Sequence, residues 1–328
     1  MERKTAAPSL IDGLTADLGG PRTASFLDKA SAAINFEALA AGLRADMTPD
    51  QPNGGRPFTP LVLMIKALLL AKWFNLSDPQ LEEQLLDRLS FRRFVGLGLH
   101  DATPDETCFV VFRRRLRETG HDSTLFEGIL TQLRDKGLVL KEGSLVDATI
   151  IEQARGGKDK EGVCTRDRVA SHTRKHGRSY HGFKASVSVS LDGFVTDYLS
   201  DTAKVHDSRH IDGLIKDEDK AVYADSAYMS EARSEALACR GVRDGIVQRR
   251  VRGQKELRPD QVEHNRRCAE LRSLVEHPFA WMKQGMGWRR ARYRGARRNG
   301  MDFGLLAGAY NIKRSLSRLG MPLCPVAA

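Results

Sequence analysis

The chain has 328 residues and a formal net charge of +10, from 52 Lys+Arg against 42 Asp+Glu. With 41% hydrophobic and 29% charged residues it can bury a core, which excludes a disordered or low-complexity chain, and its length suits one large domain or two ordinary ones. The five cysteines, Cys108, Cys164, Cys239, Cys268 and Cys324, stand far apart, which excludes a disulfide framework, disfavours a zinc knuckle and suits a reducing compartment.

Met1 to Asp12 is mixed and polar, without the apolar core of a signal peptide. Pro49, Pro52, Gly54, Gly55 and Pro57 mark a loop, and a short helix or two is expected before it. Leu61 to about Phe74 is the most apolar run; interrupted by Lys66 and Lys72, it is too short to span a bilayer and reads as a buried helix. A second helix takes Ser77 or Asp78 as cap and Pro79 in its first turn, with Leu81, Leu85 and Leu89 on one face. A third starts at Thr103-Pro104-Asp105-Glu106, read as a capping box with proline at the first helical position. Its inner stripe is Phe109, Phe112 and Leu116, and Arg113, Arg114, Arg115 and Arg117 are expected to cover its outer face. Gly120 stops it, and a fourth helix runs from Ser123 to Lys136 before Gly137.

After Gly143 the pattern changes to strands. Leu145 to Ile151 is a β-rich run, followed by a charged, glycine-containing loop to about Tyr180. Phe183, Ala185, Val187, Val189 and Leu191 alternate strictly, predicting a half-buried strand. Asp192-Gly193 reads as a two-residue hairpin turn, with Phe194 to Leu199 returning as the partner strand. Then follow a helix over Asp207 to Ile215, a strand over Ala221 to Ala224, a helix over Ser230 to Arg240, a strand over Ile246 to Gln248, and long helices over Gln261 to Gln284 and Phe303 to Leu319. The expected architecture is α/β: a ribonuclease H-like mixed sheet with flanking helices (residues 141–328, with a basic C-terminal region), preceded by an all-helical N-terminal domain (residues 1–140), whose arginine helix could touch DNA or be a plain solvated face.

The charge surplus is local. Between Arg243 and Arg298 stand sixteen Lys/Arg and six Asp/Glu, a difference equal to the surplus of the whole chain. The densest piece contains Arg289, Arg290, Arg292, Arg294, Arg297 and Arg298. Arginine forks suit phosphate, so nucleic acid is the expected partner, against the blander alternative of a solvated charged face and the competing one of an acidic protein. A second basic stretch, Arg155 to Lys184, has nine Lys/Arg against three acids.

Three acids stand at telling places. Asp147 lies inside an apolar strand, where charges are rare unless paired or metal-bound. Asp225 closes the strand Ala221 to Ala224, and functional side chains gather at such strand ends. Glu276 lies mid-helix, one turn after Arg272 and two turns before Lys283, so the three form one stripe. In a ribonuclease H-like sheet the first and fourth strands are neighbours, which would bring Asp147 and Asp225 together for a later helix to add Glu276. Carboxylates ~4 Å apart repel by about 4 kcal/mol at an effective dielectric near 20, and a hard cation, Mg²⁺ first and Mn²⁺ next, would cancel this. Each acid also has a simple structural alternative: backbone amides for Asp147, a turn cap for Asp225, a salt bridge to Arg272 for Glu276. Asp201, Asp207, Asp212 and His206 are nearby rivals.

At these residues the chain resembles the DDE transposases of bacterial insertion sequences, in the group named after insertion sequence five. Leu81 to Phe94 and Pro104 to Thr107 resemble the group's N-terminal helical module. Val146 to Ile151 resembles its first-Asp strand, Tyr180 to Lys184 and Val205-His206-Asp207 its intervening stretch, and Ala224 to Tyr228 its second-Asp turn. Arg272, Glu276 and Lys283 match the spacing around its third acid, and Arg292 to Gly295 with Asn299 the segment that follows. Ala269 departs from the pattern, standing where a tyrosine often precedes the arginine.

The resemblance implies two Mg²⁺ ions, with Mn²⁺ as substitute, held by Asp147, Asp225 and Glu276 as catalytic metal ligands, and hydrolysis at an element's end followed by attack of the freed 3′-hydroxyl on target DNA. It implies that Arg272 and Lys283 hold scissile-strand phosphates or steady Glu276, and that Arg289, Arg290, Arg292, Arg294, Arg297 and Arg298 grip DNA beyond the cut. Trp281 and Trp288 could stack on a displaced base or pack into the core. Synapsis of two ends implies a homodimer on transposon-end and target DNA, in a cytoplasmic, nucleoid-associated protein with no membrane and no small-molecule substrate. A metal-dependent nuclease or resolvase of the same fold, and a non-catalytic DNA-binding relative, are the alternatives.

Overall fold

The computed structural model describes residues 22–319, except 48–57, 141–142, 154–155, 157–159, 162–163, 165, 176 and 251–252. The proline- and glycine-marked loop at 49–57 lies outside the described residues, as do Arg155 and Lys158 of the second basic stretch. The chain divides into two compact units: residues up to Asp135 together with those from Gly304 onward, and Lys136–Phe303. The tail of the chain therefore groups with the N-terminal helices and not with the sheet.

The first unit is helical: α1 (Arg22–Ala33), α2 (Phe36–Met47), α3 (Leu61–Trp73), α4 (Asp78–Asp87), α5 (Leu89–Val95), α6 (Glu106–Glu118) and α7 (Thr124–Asp135). The apolar run of α3 is buried nearly all round, and Trp73 Nε1 donates to Ala309 O at 2.9 Å. Ser77 caps α4 in a box with Gln80, with Pro79 in the first turn. The third helix starts later than expected. Its cap is Asp105, whose carboxylate accepts from Cys108 N at 2.8 Å, so Pro104 lies outside it. Arg113 is also not on the outer face. It is buried and paired with Asp78 of α4, while Val110 and Val111 are exposed.

The second unit is built on a seven-stranded sheet: β1 (Ser144–Gln153), β2 (Ser171–Lys175), β3 (Arg178–Ser190), β4 (Val195–Thr202), β5 (Ala221–Ala224), β6 (Arg243–Ile246) and β7 (Arg290–Ala291). Its backbone is β4-β3-β1-β5-β6, with β1, β3 and β4 antiparallel and β5 and β6 parallel to β1. That is the expected ribonuclease H-like order. The helices of this unit are α8 (Ile211–Leu214), α9 (Glu231–Cys239), α10 (Pro259–Gln284) and the first part of α11 (Ala296–Arg318), with single 3₁₀ turns at Asp207–Arg209 and Ser226–Tyr228. Val146, Val222, Ala224, Ile246, Ile211, Leu214, Leu237 and the ring of Tyr228 form one buried cluster.

The last of the main strands, β6, ends at Ile246, where the expected Ile246 to Gln248 strand begins, and three further readings of the strands need correction. β2 lies within the expected loop, because its polar sequence shows no alternation and its pairing with β3 alone defines it. β3 is buried on both faces from Gly182 to Ser190, not half-buried. Its serines take partners inside the fold: Ser186 Oγ lies 2.8 Å from His210 Nδ1, and Ser188 Oγ 3.1 Å from Thr196 Oγ1. The β3–β4 hairpin has a three-residue connection, since Ser190 N bonds Phe194 O across Leu191, Asp192 and Gly193. Among these only Gly193 has positive φ, at 82°, whereas a two-residue type I′ turn needs two such residues.

Candidate active site

β1 and β5 run parallel with Leu145 opposite Tyr223 and Val146 opposite Ala224. The next residue of each is an aspartate, so Asp147 and Asp225 occupy equivalent positions and share a face. Both are partly exposed. Asp225 also caps the following 3₁₀ turn, accepting from Ser226 N at 2.6 Å.

α10 packs against β1, β5 and β6 and supplies the cations around this pair. Arg272 Nη1 lies 3.4 Å from Asp225 Oδ1, and Lys283 Nζ donates to Thr149 Oγ1 at 2.5 Å. Thr149 follows Asp147 by two residues in the strand and so faces the same way. The stripe of α10 that carries Arg272 and Lys283 therefore covers the face on which the aspartates stand. Glu276 belongs to that stripe and is exposed. The helix salt bridge open to it is not the one Arg272 makes, because that guanidinium turns to Asp225. Among the described residues no three His, Cys, Asp or Glu side chains are grouped closely enough to hold a metal ion. Asp147 and Asp225 are brought together; Glu276 stands on the facing helix but does not join them.

Two further groups belong here that the strand pattern did not single out. The 3₁₀ turns Asp207–Arg209 and Ser226–Tyr228 pack together. Arg233 ties them, donating to Ser208 O (2.9 Å) and to Tyr228 O while pairing with Asp212 (2.8 Å). The rival Asp207 pairs across the sheet from Asp147: Lys184 Nζ, itself buried and registered with Ile150, stands 2.5 Å from its Oδ1 and also donates to Val205 O. Tyr228 is 2% exposed. Burial first, then the charges of Asp207, Asp147 and Asp225, push its phenol far above the ordinary tyrosine range, with Arg233 opposing, so it stays protonated and can only donate or accept as a neutral hydroxyl. The other rivals point elsewhere: Asp201 Oδ2 lies 3.6 Å from His210 Nε2, Asp212 pairs with Arg233, and His206 caps its own turn.

Arg289, Arg290, Arg292, Arg294, Arg297 and Arg298 are all exposed. Arg289 to Arg294 lie on a pinned segment, and Arg297 and Arg298 stand in the first turn of α11. The backbone of Arg290–Ala291 joins the sheet as β7 opposite Glu152 and Gln153 of β1, Gly295 N donates to Asp167 Oδ2 at 2.7 Å, and Asn299 Nδ2 donates to Tyr293 O at 2.7 Å. Trp288 is not available for base stacking. It is buried, with its ring stacked on Phe303 at 4.7 Å.

The geometry is that of two aspartates just past the β1–β5 pairing, faced by a helix that turns Arg272 and Lys283 toward them. Residues 139–312 match the family model described as Transposase DDE domain, and residues 20–115 match Transposase domain (DUF772). The chain belongs to the DDE transposase domain family. A cryo-EM structure of the piggyBac transposase synaptic complex with hairpin DNA aligns over 98% of this chain and 80% of its own, at TM-score 0.46 and 9% identity. Among the described residues no helix is long and apolar enough to cross a membrane.

Proposed function

We propose that the chain is a transposase of the group named after insertion sequence five, which cleaves DNA at the ends of its element and joins the 3′-hydroxyl to target DNA. The β1–β5 register, whose last pair, Val146 with Ala224, immediately precedes Asp147 and Asp225, is the observation that carries this reading. The donor set fits a hard divalent cation: two carboxylates, oxygen ligands only, with the Thr149 hydroxyl on the same face. Asp147 and Asp225 would hold Mg²⁺ or Mn²⁺, two ions in the full site, with Glu276 brought in from α10. When bound, such ions lower the pKa of an attacking water and stabilise the entering and leaving oxygens of an in-line displacement.

The chain's own groups do the rest. Arg272 offsets part of the Asp225 charge and holds α10 over the strands. Lys283, tied to Thr149, sets a cation beside the scissile phosphate. Arg289, Arg290, Arg292, Arg294, Arg297 and Arg298 bind phosphates beyond the cut, and the helical unit contacts the element's end. A homodimer synapses two ends.

A Mg²⁺-dependent cleavage and joining assay on the element's own ends tests this. Asp147→Asn, Asp225→Asn and Glu276→Gln should each lower cleavage about 1,000-fold, the equivalent of roughly 4 kcal/mol, while DNA binding persists. Asp147→Asn cleaving at the wild-type rate would remove the proposal, and cleavage without joining would reduce it to a nuclease.

A further inference from the structure

Among the described residues nine large apolar side chains stand exposed, and four of them belong to one group of helices, α4 to α6. Leu86 is 62% exposed, Leu89 52%, Val110 52% and Val111 45%. Scattered singly, such residues need no explanation; grouped on helices that pack together, they mark a surface that a partner covers. The helices set them side by side. Arg113 of α6 pairs with Asp78 at the start of α4, and Glu106 N at the start of α6 donates to Glu82 Oε2 at 2.7 Å, so the two helices run antiparallel. Asp78, Glu82 and Leu86 follow at helical spacing on the flank of α4 turned to α6, and Glu106, Val110 and Arg113 do so on the flank of α6 turned to α4. Leu86 and Val110 therefore border one groove, with Val111 next to it and Leu89 at the start of α5.

The charges beside these residues differ in sign. Glu83 and Asp87, both exposed, flank Leu86 on α4, and Arg114 lies one turn beyond Val110 and Val111 on α6. Arg114 is exposed and meets Glu118 only at 3.8 Å. Its neighbours turn inward, Arg113 to Asp78 and Arg115 to Met47 O at 3.3 Å, over the Phe58 ring. Asp78 to Glu118 holds eight Asp/Glu against seven Lys/Arg, so these helices have no positive surplus for a phosphate backbone. They offer an apolar pair beside acids and an apolar pair beside a base, which makes the face complementary to itself.

We propose that this face of the helical unit is where two copies of the chain pair. A two-fold axis midway between Leu86 and Val110 sets each against the other residue of the second copy, and brings Glu83 and Asp87 toward Arg114. Each contact is then made twice, with apolar side chains at the centre and opposite charges at the rim. This gives the homodimer of the reading above its surface, and rests on that reading for its purpose, the pairing of two DNA ends.

Sedimentation velocity of the full chain without DNA, from about 1 to 100 µM, tests this. Wild type should be a dimer at the upper end. Leu86→Glu and Val111→Glu, both at exposed positions, should each raise the dissociation constant about 100-fold and leave the thermal melt unchanged. Arg114→Glu alone should weaken the dimer about 10-fold, and adding Asp87→Arg should recover most of that loss, which misfolding cannot imitate. Wild type that stays monomeric throughout, or a dimer that Leu86→Glu and Val111→Glu both leave intact, overturns the inference. So does a monomeric chain whose affinity for a DNA end falls with these two substitutions, which would give the face to DNA. The chemistry is decided separately. A monomeric wild type that cleaves and joins ends overturns this surface and leaves the transposase reading standing. A dimer broken by Leu86→Glu, in a chain that neither cleaves nor joins, keeps the surface and removes that reading.

Discussion

Lys66 sits on the buried helix α3 with its ammonium 5.1 Å from the ring centroids of both Phe36 and Phe94. Burial lowers its pKa below the ordinary lysine value, and the charge of Glu37 only partly restores it. The unfolded chain therefore binds the proton more tightly than the folded one, and stability rises with pH as the group titrates between its lowered folded value and the unfolded value near 10.5. Lys66→Met should raise the thermal midpoint slightly at pH 7, on the order of 2 °C, and that advantage should shrink as the pH approaches 10.5. Melts of the two proteins at pH 7 and pH 10 check the sign. Asp225 teaches a different lesson at this scale. Capping a turn and serving a site look like alternatives in a sequence, yet one carboxylate accepts from Ser226 N and faces Arg272 at once.

β1 leaves no room for a side chain at Gly182 of β3. A Cβ built there would lie 2.0 Å from Ile151 O and 2.9 Å from Gln153 N, both backbone atoms that cannot give way. Gly182→Ala should cost about 3 kcal/mol in denaturant unfolding, or abolish soluble expression, because it pries apart the strand that carries Asp147. The elements that position the acids were legible for physical reasons. An aspartate among Leu145, Val146, Ile150 and Ile151 breaks a pattern that apolar burial otherwise explains, and Asp225 ends a short apolar strand. What stayed hidden depends on distant partners. Nothing local shows that Arg113, among four nearby arginines, meets Asp78 35 residues away. The serines of β3 mimic a solvent face because a hydroxyl is small enough to be buried once it is bonded. Asp207 and Tyr228 meet only through the packing of two single-turn elements, which leave no periodic trace.

At the scale of the whole molecule, the acids and the exposed arginines from Arg289 to Arg298 all fall within Lys136–Phe303, the unit built on the sheet. α11 does not respect that boundary. It begins beside the arginine loop, and its residues from Gly304 on belong with the N-terminal helices, where Ala309 O receives the Trp73 indole and a Cβ on Gly308 would stand only 3.0 Å from Ile129 Cδ1. The sheet unit cannot be excised by cutting one linker. A fragment of residues 136–328 would carry Ala309, Ile312 and Leu316 into water without their neighbours, and it should aggregate in sedimentation velocity. Co-expressed with residues 1–135 it should return to solution as a two-piece protein, because the backbone from Gly304 on is the missing wall of the helical unit, delivered to it by the far end of the chain.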